Sequence, residues 1–241
     1  MEVTAQAGPL VDGRELYRFF HIGDDETFAL RGVSVSVSPG ELVAVVGPSG
    51  SGKSTLLACL AGLDEPDGGH VTIAAQRITR RDEATRAGLR AQWIGMLLQS
   101  GNLVDHLSVT QNIQAARALV PRVPRSRRNG RPGRGRMSRG DAERLLDDVG
   151  LADRASARPS TLSGGEAARA ALAVAMANDP PVLFADEPTG EVDQEAEIRV
   201  LNLLRSRADR GKAVLVVTHS ETVAMAADRV VHMIDGRVAG E

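Results

Sequence analysis

Val33, Val35 and Val37 alternate with Ser34, Ser36 and Ser38, the two-residue period of a strand with one buried face. Pro39-Gly40 makes a turn, and 41–46 (ELVAVV) reads as a strand buried on both faces. Apolar residues at helical spacing over 53–63 predict a helix, closed by the breaker cluster 64–69. Strands are predicted at 70–75 and 93–98, with a short helix over 83–91 between them. Ser108 is placed to cap a helix running to about Leu119, and a helix over 141–149 is followed by Gly150 at a left-handed closing position. The short apolar runs 181–185 and 213–217 suit a parallel sheet, with helices over 194–209 and 221–227. Strands alternating with helices predict an α/β fold of three layers. The region 100–165 is mostly helical and reads as a lobe. No internal repeat of useful length is present.

Composition narrows the class. The 241 residues carry 42% apolar and 25% charged side chains, ordinary for one domain, or a domain with a lobe, able to bury a core. Aromatics are 2%, so that core is built from Ala, Val, Leu and Ile. The longest uncharged apolar stretch, 170–177, falls far short of the ~18 residues a membrane-crossing helix needs. Residues 1–10 lack a basic region followed by an apolar one, so a cytoplasmic protein without a signal peptide is expected. The single cysteine, Cys59, excludes an internal disulfide or a cysteine-rich metal site and is expected to be a small buried hydrophobe. Trp93, at the head of its predicted strand, is expected to pack. His21, His70, His106 and His232 form no metal-ligand spacing.

Charge is uneven. No acidic residue occurs between His106 and Gly140, and 122–139 holds eight arginines. Without them the formal charge of −2 becomes −2 − 8 = −10. Interspersed with Pro121, Pro124, Pro132, Gly130, Gly133 and Gly135, this stretch (121–140) reads as a flexible basic insertion in a folded chain.

The strongest chemical signal is Gly47-Pro48-Ser49-Gly50-Ser51-Gly52-Lys53-Ser54-Thr55, which fits G-x-x-x-x-G-K-[ST] between a predicted strand and a predicted helix. Its glycines let backbone N–H groups turn inward around phosphate oxygens, and the helix N-terminus aims about half a positive charge at the same anion. Lys53 would reach the β- and γ-phosphates, and the Ser54 hydroxyl would ligate Mg²⁺. A Gly/Ser-rich surface loop is the bland alternative. Downstream, the apolar run 182–185 ends in Asp186-Glu187. Neighbouring side chains on a strand point to opposite sides, so Asp186 would hold the metal shell while Glu187 polarises the attacking water; an ordinary acidic strand end is the alternative. Leu162-Ser163-Gly164-Gly165-Glu166 precedes a helical run over 167–177. Ser163 and Glu166 fit a capping box, but a cap does not require two glycines. Gly164 and Gly165 allow close backbone approach, making a second anion site that can cover the open side of a γ-phosphate held by a second chain.

Taken in order, the phosphate loop, Gln99, LSGGE, the FADEP strand end and His219 resemble the ATP-binding-cassette (ABC) ATPases over most of the chain. The run 186–190 and the stretch LLACLAG after the loop resemble the lipoprotein-release, macrolide-export and cell-division subgroup. The resemblance implies a P-loop NTPase core at 1–99 and 166–241, with a mostly parallel sheet, an N-terminal antiparallel β portion and a helical lobe at 100–165. It also implies two cassettes closing head-to-tail around two ATP, each loop of Gly47–Ser54 facing the partner's Ser163–Glu166. Gln99 matches the glutamine that contacts Mg²⁺ and the attacking water, His219 the histidine that touches the γ-phosphate, and Asp193 the aspartate of the loop crossing the dimer interface. Counting back from Val33, Phe20 fits the ring on which the family stacks adenine, with Phe19 and Tyr17 as neighbours and a core phenylalanine as the alternative. Stacking contributes about 1–3 kcal/mol and tolerates either purine.

Two departures from the pattern matter. Ala167-Ala168 follow Glu166 where polar residues are common, and Glu191 stands where the subgroup has a neutral asparagine. Neither removes Lys53, Asp186 or Glu187, so ATP hydrolysis is expected. The resemblance further implies integral membrane permease subunits as partners and a peripheral place on the cytoplasmic face of the plasma (inner) membrane. Alternatives are an ATPase that drives a cell-division partner mechanically, without transport, and a soluble assembly ATPase. Nucleic acid is not an expected partner, because no aromatic residue interleaves the arginines. Those arginines would either lie against anionic lipid, at about 1 kcal/mol per charge near the surface, or contact an acidic partner, or form a solvated linker. Deleting 126–139 is expected to lower co-sedimentation with anionic vesicles if 122–139 contacts lipid; unchanged sedimentation retires that contact.

Overall fold

The computed structural model describes residues 8–22, 25–119, 139–190 and 192–240. The described residues form two sheets and the helices that pack on them. The antiparallel sheet contains β1 (Val11–Ile22), β2 (Asp25–Val37), β4 (Gly68–Ile73) and β5 (Gln76–Arg77), in the order β2-β1-β4-β5. The six-stranded sheet takes β3 (Leu42–Val46), β6 (Ile94–Leu97), β7 (Val182–Asp186), β8 (Ala213–Val217), β9 (Arg229–Ile234) and β10 (Arg237–Gly240), in the order β10-β9-β3-β8-β7-β6. Its pairings are parallel except for β9 with β10. The helices are α1 (Lys53–Leu60), α2 (Glu83–Trp93), α3 (Val109–Ala118), α4 (Arg139–Asp148), α5 (Gly164–Met176), α6 (Gln194–Asp209) and α7 (Glu221–Met225).

Alternation along the central strands assigns the layers. Ala213, Leu215 and Val217 of β8 join one core with Val43, Val45, Phe184, α1 and the antiparallel sheet. Val214 and Val216 join the other with Leu42, Leu183, Ala185, α3, α4, α5 and α6. The six-stranded sheet is thus the middle of three layers, and its inner strands are apolar on both faces because both faces are covered. The expected α/β architecture with a mostly parallel sheet and an antiparallel portion is present. Between β6 and α5 the described secondary structure is helical.

Several boundaries differ from the sequence expectation, each for a local reason. The strand expected at 33–38 begins at Asp25, because Gly32 (φ 78°) and a register shift between Leu16 and Tyr17 break the alternation. β1, unread in the sequence, is interrupted by register shifts from Gly13 to Phe19. The strand expected over 70–75 stops at Ile73: Ala74 and Ala75 both adopt positive φ (49° and 62°) and turn the chain into β5. Trp93 ends α2 instead of starting a strand, and its ring packs on the core as expected. The helix expected over 53–63 ends at Leu60, and that over 221–227 at Met225. Ser108 does cap α3, in a reciprocal capping box with Gln111, and Gly150 (φ 66°) lies just beyond α4. Cys59 is buried, with its thiol pushed up to about 12 by that burial.

β6 lies close against α5. A Cβ at Gly95 would sit 2.3 Å from the Ala175 carbonyl oxygen and 2.7 Å from Pro180. Gly95→Ala is therefore expected to destabilise the fold by about 1–3 kcal/mol through overpacking, read as a lower urea midpoint.

Candidate nucleotide site

Parallel strands present their carboxyl ends along one edge, and the sheet order puts four of those ends side by side. Val45 lies opposite Val217, Val217 opposite Asp186, and Ala185 opposite Leu97. The chain leaves β3 into Gly47–Thr55, β8 toward His219, β7 at Asp186-Glu187 and β6 toward Gln99. Residues remote in sequence therefore meet along this edge, where open α/β sheets bind ligands.

The loop from Gly47 to Thr55 is held by its glycines. A Cβ at Gly47 (φ 153°) would meet the Met233 carbonyl oxygen at 2.1 Å, and one at Gly52 (φ 96°) the Ala29 carbonyl oxygen at 2.2 Å. No L side chain fits either place without moving backbone. Pro48, Ser49 and Gly50 are exposed at its crest, whereas Ser51 is buried and anchors the loop through its carbonyl to the Gly236 N–H (3.1 Å). Lys53 Nζ donates back to the carbonyls of Gly47 (2.8 Å) and Pro48 (2.9 Å). Its ammonium thus spans the mouth of the loop. Ser54 and Thr55 open α1.

Asp186 ends β7 and is 8% exposed. Burial pushes its carboxyl above the usual range, while a hydrogen bond to the Ser54 side chain pulls the other way. Its Oδ1 is buried without a hydrogen-bond partner. A buried, unsatisfied carboxylate oxygen beside a serine hydroxyl is a hard-oxygen donor set of the kind Mg²⁺ takes together with phosphate oxygens, so these residues fit the ion. Among the described residues no group of three or more His, Cys, Asp or Glu could hold a metal alone. A single carboxylate with a hydroxyl suits a metal that arrives with its nucleotide.

Glu187 is not placed by strand alternation, as the sequence suggested. Its φ of 47° lies in the left-handed region, uncommon for a non-glycine residue. That turn carries it out of the sheet, with its N–H tied to the Val217 carbonyl (2.9 Å). Its carboxylate meets His219: Oε1 is 2.7 Å from Nδ1, and Oε2 accepts from the His219 N–H at 3.4 Å. Glu187 is only 13% exposed, whereas the His219 ring is 72% exposed. Gln99 is exposed two residues beyond β6, and an asparagine braces its approach. Asn102 accepts from the Leu98 N–H (2.8 Å) and donates to the Leu98 carbonyl (2.6 Å).

Ser163 and Glu166 form the expected capping box at the start of α5, and Arg154 pairs with Glu166 at 2.8 Å. The Ser163 N–H and Arg154 hold the Glu166 carboxyl below its usual range. Gly164 begins the helix and is exposed. Gly165 is required by packing: a Cβ there would stand 2.7 Å from that of Ala196 on α6. Asp193 caps α6 through the Ala196 N–H (2.8 Å). Together with Arg154 and Arg169 these residues line a cleft of about 320 Å³ to which no residue of Gly47–Thr55 contributes. Phe20 lies outside the core, 37% exposed on β1. It pairs with Thr27, two residues from the Ala29 carbonyl that abuts Gly52.

Sequence reasoning missed Asn102, Arg154 and Glu197. Glu197 Oε1 accepts from Ser220 Oγ (2.5 Å) and Thr189 Oγ1 (3.4 Å), joining α6 to the turns after His219 and Glu187. Nothing in its spacing distinguishes it from the other charged residues of α6. Glu191 and 120–138 lie outside the described residues.

A phosphate loop between a buried parallel strand and a helix, with an acidic pair on a neighbouring strand end, defines a P-loop nucleoside triphosphatase. The family model described as ABC transporter matches residues 30–190. An uncharacterized ABC transporter ATP-binding protein of Thermotoga maritima is 39% identical over 94% of this chain and 92% of its own. The macrolide export ATP-binding/permease protein MacB of Hyphomonas neptunium is 36% identical over 97% of this chain, which spans only 34% of that protein. In structure, the ATP-binding cassette MJ0796, solved as a dimer in a post-hydrolysis state bound to ADP and Pi, superposes with a TM-score of 0.84 at 32% identity over 95% of this chain and 97% of its own. The chain belongs to the ABC transporter family and is an ATP hydrolase of the ATP-binding-cassette type.

The raised carboxyl of Asp186 has a measurable cost. An acid whose folded pKa exceeds its unfolded value contributes stability that is full below the unfolded range and is lost as pH rises through the folded one. Asp186 therefore comes to cost stability as pH rises through its folded value, the cause being burial of the charged form. Asp186→Asn is expected to melt at higher temperature than the parent in metal- and nucleotide-free buffer, the gap closing as pH falls below the carboxylate range.

Proposed function

We propose that this chain is the ATP-binding and hydrolysing subunit of an ABC transporter, closing head-to-tail with a second cassette around two ATP and driving separate membrane-spanning subunits. The observation that carries this reading is the split of its chemistry between two places. The phosphate loop, Asp186, Glu187 and His219 gather at one sheet edge, whereas Ser163, Gly165, Glu166 and Asp193 line a cleft without any phosphate-loop residue. A site divided in this way is completed by a second copy or a homologous cassette. The dimeric state of MJ0796 supports that reading.

In this scheme Gly47–Gly52, Lys53, Ser54 and Thr55 bind the triphosphate, and Ser54, Asp186 and Gln99 hold Mg²⁺. Glu187 polarises the attacking water and His219 meets the γ-phosphate. Phe20 carries the base, and the partner's Ser163–Glu166 and Asp193 close the other side. The segment 100–165, helical in its described secondary structure, acts as a lobe that carries the movement of Gln99 to the membrane subunits, with 1–99 and 166–241 as the nucleotide-binding core. MacB relatives are named ATP-binding/permease proteins, which supports a permease partner; no described helix is long and apolar enough to cross a membrane. The chain then works at the cytoplasmic face of the inner membrane.

Glu187→Gln is expected to lower turnover by about 10²-fold or more and to accumulate an ATP-bound dimer in light scattering. Lys53→Ala should stay monomeric at the same ATP concentration. Full turnover by Glu187→Gln would remove Glu187 from its role.

A further inference from the structure

Arg18 precedes Phe20 by two residues on β1, and the two side chains are in contact. Its guanidinium carbon lies 4.5 Å from the centroid of the Phe20 ring. The same guanidinium is held by two carboxylates. Nε and Nη2 donate to Asp64 Oδ2 and Oδ1 at 2.8 and 2.9 Å, and Nη1 donates to Asp67 Oδ2 at 3.1 Å. Asp67 Oδ2 also accepts from the Phe19 N–H (3.0 Å), and the Asp67 N–H donates to the Tyr17 carbonyl (2.9 Å). Both acids belong to the segment that follows α1, the helix opened by Lys53. A continuous set of contacts therefore runs from the phosphate loop through α1 and its acidic exit to the ring on β1.

These contacts restrict what Arg18 can do. With all three nitrogens engaged by carboxylates, the cation has little left to offer a phosphate. What it does have is a flat face, and that face lies on Phe20. A planar fork that binds a carboxylate on two atoms and stacks on a ring is a task lysine cannot reproduce. A cation behind a phenyl ring is attracted to its electron-rich face, and a ring held in one orientation spares the ligand the cost of ordering it.

We propose that Arg18, locked by Asp64 and Asp67, is a positioning residue for the nucleobase: it backs Phe20 and fixes the ring as a platform for a purine. This rests on the reading of Phe20 as the base-stacking ring. The role concerns the base alone, since the triphosphate is gripped by the loop at the N-terminal end of α1, whereas Asp64 and Asp67 follow its C-terminal end.

The test compares Mg-ATP with inorganic tripolyphosphate, which lacks a base, by titration calorimetry on the full chain. Arg18→Met is expected to weaken ATP binding by about three- to tenfold, with KM raised, kcat held and tripolyphosphate affinity unchanged. Arg18→Lys should fall between Arg18→Met and the parent. In a Phe20→Leu background Arg18→Met should add little, because the ring it positions is gone. Arg31→Met removes a similar contact, 5.4 Å from the Phe28 ring on β2, and should change neither affinity. Loss of tripolyphosphate binding in Arg18→Met would assign Arg18 to the fold and overturn the proposal, as would an equal loss of ATP affinity in Arg31→Met. If Phe20→Leu weakens ATP while Arg18→Met does not, the proposal fails and the base platform stands. If Phe20→Leu leaves ATP affinity unchanged, the platform fails and takes the proposal with it.

Discussion

The register between β3, β8, β7 and β6 is the constraint on which the rest of the site depends. Each of these strands pairs in parallel with its neighbour, so their carboxyl ends arrive level with one another. A slip of one residue anywhere would send each side chain into the opposite core and misplace an end. Val214 and Val216 face one core and Leu215 and Val217 the other, so apolar packing on both sides opposes that slip. The positions of Gly47, Asp186, His219 and Gln99 are therefore a consequence of how valines pack several residues upstream.

On that frame two local departures from low-energy geometry stand out. Glu187 adopts a left-handed backbone and Asp186 keeps a buried oxygen unsatisfied. Both lie at the end of β7, next to the Ser54 hydroxyl and the His219 ring. Strain and unmet hydrogen bonding commonly concentrate where a protein has work to do. The fold bears them because the surrounding sheet is buried and regular.

Much of this arrangement was legible in the sequence, and the parts that were not share a cause. The phosphate loop and the capping box of Ser163 are short-range patterns whose spacing carries their geometry, α3 follows from its cap and α6 from its periodicity, whereas the acidic pair was legible as a pair but not in the left-handed turn at Glu187. β1 was invisible because register shifts from Gly13 to Phe19 spoil the alternation that identifies a strand. β4 was extended too far because an Ala-Ala pair makes a turn usually made by Asn or Gly. The β9–β10 hairpin did leave a signal: Asp235-Gly236, both at positive φ, between Ile234 and Arg237. The supporting residues Arg154, Arg18 and Glu197 act across sequence separations that no local pattern encodes.

Gly165 also has a mechanical meaning. With only hydrogen where a methyl would strike Ala196, the start of α5 rests directly against the first turn of α6, and Glu197 on that same turn fastens Ser220 and Thr189. Two helix ends and two turns thus share one joint without slack. Gly165 is thereby braced, through Ala196 and Glu197, against the turns that flank His219 and Glu187, so neither end of that joint can be displaced without straining contacts at the other.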